Sequence, residues 1–176
     1  MLARRARSKV RTDPGKSQDC CQSRKFLQCV LIVTPQSDVE PVLLPYGRHH
    51  VAGDVELVCG NAFTLDAALL ADCDALYDRA TLIALPPDLR QRYVRELHAR
   101  LPAGCRGLLI TLKYPLHEKQ DPPFTVPEAE VRGLYGRDWT VATRERRDIL
   151  AEQPGFVAQG VSALETVVYL LERQAG

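Results

Sequence analysis

The sequence predicts an α/β domain whose sheet closes with antiparallel strands. Three observations carry that reading. From Val55 to Leu101, short apolar runs at strand length alternate with helical periodicity. Gly107 to Tyr114, GLLITLKY, is a continuous apolar run with β-branched content, as expected for a strand buried on both faces. Two late segments, Trp139 to Ile149 and Glu165 to Glu172, alternate as strands do. Trp139, Val141 and Thr143 then share one face, and so do Val167, Tyr169 and Leu171.

The elements follow in order. Residues 1–26 are basic and polar with no sustained period, and are expected to lack order. Leu27 to Thr34, LQCVLIVT, is a short β-branched run that reads as a buried strand, ended by Pro35. Residues 36–54 hold Pro41, Pro45, Gly47 and Gly53. They read as an irregular connection with a short strand at Val42 to Leu44. Val55 to Cys59 is a strand broken by Gly60, and Leu65 to Ala71 a short helix. Ala75 to Tyr77 is a short strand ending at Asp78-Arg79. Pro87 to Leu101 is the strongest helix, since Leu89, Tyr93, Leu97 and Leu101 recur every four residues. Asp88 suits its first turn and Arg95 a later one, while Pro102 and Gly104 stop it. Thr125 and Glu128 have capping-box spacing for a helix running to about Tyr135.

Length and charge bound the function. The chain has 176 residues, the size of one domain with a sizeable core. The net charge of +1 hides an asymmetry. Residues 1–27 carry eight Lys or Arg against two acids, a net +6, which leaves −5 for the remainder. A mildly acidic body argues against nucleic-acid binding. No apolar run reaches the length of a membrane span. The basic leader is Arg-rich and acid-poor, a composition that also fits an organellar transit peptide. The six cysteines form no C-x-x-C pair and match no zinc spacing, so they read as free thiols of a reducing compartment. Among the histidines, His49, His50, His98 and His117 have no partner at ligand spacing and read as structural or solvated.

Five segments carry a more specific signal. They are CGNAF at Cys59 to Phe63, YDRATLIALPP at Tyr77 to Pro87, LLITLKY at Leu108 to Tyr114, PPFTV at Pro122 to Val126 and ERRDIL at Glu145 to Leu150. Together, in this order, they resemble the thiopurine S-methyltransferase family in its bacterial form. The similar region runs from His50 to Arg173, about 70% of the chain. The resemblance implies a Rossmann-like sheet for S-adenosylmethionine-dependent methyl transfer, with ligands at the carboxyl ends of the strands.

The resemblance also implies site residues. Asn61 and Ala62 would lie beside the cofactor, where many relatives carry an acid at the position of Asn61. An amide oxygen can still accept from an adenine amino group there. Arg79 would emerge at the ligand edge, contacting the cofactor and favouring the thiolate form of a thiol substrate. Asp78 is expected to orient local backbone rather than act as a base. No catalytic triad or metal is required, because a sulfonium is an activated donor and alignment does most of the work.

The sequence departs from the family at several places. Relatives open with a tryptophan-rich lid, a glycine loop and a strand ending in a ribose-binding acid. Here Trp139 is the single tryptophan, and no glycine loop follows the strand at 27–34. Asp38 could stand in for the ribose acid. The sheet is therefore expected to be incomplete at its N-terminal strands, leaving the strand at Ala75 with an unpaired edge. Asp121 replaces the usual Gly before Pro-Pro-Phe, and Gly155 stands where relatives often carry a substrate-facing Arg. The expected organisation is a leader over 1–34, with a strand at 27–34, followed by the C-terminal part of a methyltransferase domain over 35–176. The expected function is S-adenosyl-L-methionine-dependent methyl transfer to a small thiol or chalcogen substrate, by a cytoplasmic monomer using neither nucleic acid nor membrane. The alternative is an inactive remnant of such an enzyme.

Overall fold

The structure is a computed structural model that describes residues 2–3, 28–33, 42–45, 47–52 and 55–175. Among these residues nine strands form one mixed sheet, with the α-helices all following β5 in the chain. The strands are β1 (Leu2–Ala3), β2 (Gln28–Val33), β3 (Val42–Leu44), β4 (Gly47–Ala52), β5 (Val55–Gly60), β6 (Ala75–Asp78), β7 (Arg106–Lys113), β8 (Trp139–Asp148) and β9 (Glu165–Arg173). The helices are α1 (Ala67–Ala71), α2 (Thr81–Ala84), α3 (Pro87–Glu96), α4 (Glu128–Tyr135) and α5 (Pro154–Ala158). The order across the sheet is β3-β4-β5-β2-β1-β6-β7-β9-β8.

The two halves of the sheet are built differently. β6 and β7 pair in parallel, and β9 lies antiparallel between β7 and β8. Strands β6, β7 and β8 therefore point the same way, and their carboxyl ends share one edge. β3, β4, β5 and β2 form an antiparallel ribbon instead. The reason lies in the connections. Only residues 53–54 join β4 to β5, and a parallel pair needs a crossover of about a dozen residues or more. This half is thus not the parallel arrangement that a Rossmann-like sheet implied. The hairpin replaces the irregular connection expected over 36–54. Gly53-Asp54 between two apolar-containing runs is a hairpin signal that the prolines and glycines around it obscured.

Gly47 opens β4 with φ 139, and a Cβ there would collide with the Cys59 carbonyl and the Gly60 Cα. The close approach of β5 requires glycine at this position. β6 does not present the unpaired edge expected of it, because Leu76 and Ala75 pair with Leu2 and Ala3. Apart from β1 and β2, the basic leader lies outside the described residues, as does Asp38.

The core sits on one face of β6–β7–β9–β8. Leu76, Leu109, Val167, Tyr169, Leu171 and Trp139 pack there against Leu82, Tyr93, Val94, Leu97, Val131 and Tyr135 from the helices. The alternation of Trp139 with Val141, and of Val167 with Tyr169 and Leu171, was legible in the sequence. The expectation that β7 is buried on both faces is corrected. Its burial alternates, and Leu108 is 38% exposed. Gly107, Leu109 and Thr111 are buried, whereas Leu108, Ile110 and Leu112 on the other face are more open, so a period-2 pattern survives within an apolar run.

Two helix expectations change in detail. α3 ends at Glu96, and a single 3-10 turn, His98–Arg100, completes the expected span to Leu101. α4 runs from Glu128 to Tyr135, but its N-cap is Pro127, which makes no side-chain cap. Thr125 instead bonds both backbone groups of Tyr114. Proline at 127 fixes φ in the extended approach to the helix and moves the start past the capping-box position. The cysteine expectation also changes at one position. Cys73 and Cys105 are buried thiols, whereas Cys59 is disulfide-bonded. A ladder sets strand residues at close cross-strand distances that sequence spacing does not reveal.

Candidate functional site

A cavity of about 370 Å³ opens at the carboxyl edge of β6, β7 and β8. Arg79 and Ala80 come from the turn after β6, Ile83 from α2, and Ile110 to Leu112 from β7. Arg147 and Ile149 come from the end of β8, Thr166 from the start of β9, and Gln153 and Phe156 from around α5. Pro123 supplies one wall and Glu152 a carboxylate. The apolar part is Ile83, Ile110, Leu112, Pro123, Ile149 and Phe156. The charged part is two guanidiniums and one carboxylate.

The turn after β6 is set by Asp78. Its side chain is buried, and Oδ1 accepts from the backbone N–H groups of Thr81 (2.9 Å) and Leu82 (3.3 Å). These bonds satisfy the orphan donors at the start of α2 and send Arg79 and Ala80 outward to the cavity. Asp78 thus organises backbone, as its place in the sequence suggested. Burial raises its carboxyl above the ordinary range.

The Pro-Pro-Phe segment is held against the end of β7. Phe124 N–H donates to the Ile83 carbonyl at 2.6 Å, and Val126 N–H to that of Leu112 at 2.8 Å. Thr125 Oγ1 accepts from Tyr114 N–H and donates to the Tyr114 carbonyl, each at 3.0 Å. Tyr114 Oη donates to the Pro123 carbonyl at 2.8 Å. The peptide bond between Pro122 and Pro123 is cis. Asp121, a departure from the family pattern, has a partner: its carboxylate lies 2.9 Å from the buried Lys119 Nζ. Lys119 also donates to the carbonyls of Asp121 and Pro122, which fixes the approach to the wall.

Arg90 ties these parts together, and sequence reading missed it. As one of three arginines on a helix rich in charged residues it looks like a solvated position, yet Arg90 is 1% exposed. Its Nε donates to the carbonyls of Leu85 (2.8 Å) and Leu82 (3.2 Å), and its Nη1 lies 2.7 Å from Glu130 Oε1. The guanidinium carbon sits 5.6 Å from the centre of the Phe124 ring. One side chain thereby links α2, α3, α4 and the Pro-Pro-Phe segment.

The three expected site residues separate. Arg79 is exposed and lines the cavity. Asn61 and Ala62 do not line it. Asn61 is exposed, and its Oδ1 accepts from Phe63 N–H at 3.0 Å as the cap of a short 3-10 turn. Ala62 is buried in the core. Arg147, Gln153 and Thr111 complete the lining and were not singled out in sequence. Arg147 lay within the quoted ERRDIL segment, where nothing in the residues separates it from Arg146. Gly155 is exposed, and a Cβ there would meet nothing within 4 Å. Among the described residues, no group of three or more His, Cys, Asp or Glu is placed to hold a metal ion. No helix among them is long and apolar enough to cross a membrane.

These features define a mixed α/β domain with a cavity at the carboxyl edge of its like-directed strands. The thiopurine S-methyltransferase family model matches residues 35–174, and the chain belongs to that family. It is 60% identical over 127 residues to the thiopurine S-methyltransferase of Xanthomonas campestris pv. campestris (strain 8004), covering 72% of this chain and 58% of that protein. It is 55% identical over 130 residues to that of Nitrosomonas eutropha, covering 74% of this chain and 59% of the relative. The enzyme of Bordetella pertussis is 52% identical over 127 residues, with 72% and 58% covered. The chain thus spans less than two thirds of the length of these curated relatives.

Proposed function

We propose that this chain takes part in S-adenosylmethionine-dependent methyl transfer to the sulfur of a small aromatic or heterocyclic thiol. The observation that carries the reading is the cavity at the carboxyl edge of β6 and β7, with Arg79 on its lining. The family relationship supplies the activity class. The β6–β7–β9–β8 half supports a Rossmann-like methyltransferase sheet, since it combines a parallel pair with an antiparallel end. An inactive remnant gains no support from these relatives.

The residues present fit the cofactor at two points. Arg79 offers a guanidinium, suited to a carboxylate. Asn61, at the end of β5, retains an amide nitrogen as donor while its oxygen caps the next turn. When bound, the sulfonium supplies an already activated methyl group. The chain's own residues then have to align the thiol and exclude water. Ile83, Pro123 and Phe156 give the ring apolar walls. A guanidinium at Arg79 lowers the pKa of a nearby thiol and holds its sulfur as the nucleophilic thiolate.

Calorimetric titration of the chain with S-adenosylmethionine tests this reading. Micromolar binding that is lost in Arg79→Ala is the expected result. A folded chain giving no heat at millimolar ligand would overturn it.

A further inference from the structure

The cavity holds a second cation on the wall away from Arg79. Arg147 projects from the end of β8, three strand spacings from β6. At about 4.8 Å per spacing the two backbones stand roughly 14 Å apart. Register places Arg147 opposite Thr166, which in turn lies opposite Leu112, so all three line the cavity in one row. Arg79 and Arg147 therefore approach the same apolar space from its two sides.

The immediate partner of Arg147 is weak. Its Nη2 lies 3.6 Å from Glu152 Oε2, and the two side chains are 59% and 58% exposed. Such a pair contributes little and exchanges readily for a better anion. Arg146 is engaged elsewhere, bonding the Glu128 carboxylate. Arg147 is thus the β8 cation directed to the cavity, with an internal carboxylate standing where a ligand carboxylate would sit.

Resting on the proposed thiol-binding role of this cavity, we propose that Arg147 is a specificity residue for a second anionic group on the substrate. The ligand class is an aromatic thiol carrying a carboxylate remote from its sulfur. The sulfur lies toward Arg79, the ring against Ile83, Pro123 and Phe156, and the carboxylate on Arg147. Glu152 competes for the same guanidinium and sets how strongly the anion is held.

The test uses two S-methylated probes of the same shape, 4-(methylthio)benzoate and the neutral 4-(methylthio)benzamide, titrated into the full chain without cofactor. Wild type is expected to favour the benzoate by about tenfold, equivalent to one decade in Kd. Arg147→Ala brings the ratio to about one without changing benzamide affinity, and Arg147→Lys restores part of it. Glu152→Gln increases benzoate affinity. The preference shrinks in high salt, as an exposed charge pair requires. A benzoate preference that survives in Arg147→Ala, or equal affinity for both probes in wild type, overturns the inference while leaving the cavity reading intact. Binding of neither probe overturns the cavity reading, and the inference with it.

Discussion

His98 is fully buried, with Nδ1 2.9 Å from Tyr135 Oη and its ring 4.4 Å from that of Tyr93. Of the two readings the sequence left open for it, structural or solvated, the fold selects the structural one. Burial pushes its pKa down to about 3 from an ordinary 6.5. The folded chain refuses a proton that the unfolded chain accepts below pH 6.5. Its contribution is therefore complete above that pH and is lost as pH falls toward 3. Asp78 acts with the opposite sign, since burial raises its carboxyl and disfavours its ionised form as pH rises. The urea midpoint should fall between pH 7 and pH 4.5, and fall less in His98→Gln. Equal pH dependence in the two proteins would remove His98 as the cause. Cys105 follows the same logic: burial first, then Cys73 and Asp74, push its thiol up to about 12. It stays protonated, an inert core residue.

At the scale of elements, the Pro-Pro-Phe segment shows why a correct helix was reached by the wrong route. Thr125 and Glu128 have capping-box spacing, and α4 does begin at Glu128. Thr125 nevertheless spends its hydroxyl on Tyr114, eleven residues earlier, because Pro127 separates it from the helix. Thr125→Val keeps the shape and leaves two buried backbone groups unpaired. A loss of about 1–3 kcal/mol follows. Urea denaturation checks it, with Thr125→Ser expected to stay near wild type. The benzamide probe should also bind more weakly in Thr125→Val, because Pro123 forms part of the cavity wall.

At the scale of the whole molecule, the two halves of the sheet differ in support. β7 and β9 are paired along both edges and carry Leu109, Val167, Tyr169 and Leu171 into the core. β3 has one neighbour, pairs over three residues and leaves Leu43 80% exposed. Native-state amide exchange should be slowest in β7 and β9 and faster in β3 and β4. Uniform protection across the sheet would contradict this ordering.

The sequence by itself determined the family, the α/β class, and most strands and helices from β5 onward. Those depend on local period, turn residues and segment order, which a chain carries wherever its parts end up. Tertiary structure decided which edges and charges meet. The direction of β2 against β5, the one-sided burial of β7, the core position of Arg90 and the arrival of Arg147 opposite Arg79 all depend on neighbours distant in sequence. Periodicity says which face of a strand is apolar. It does not say whether a helix covers the other face, or which of two adjacent arginines turns toward a cavity.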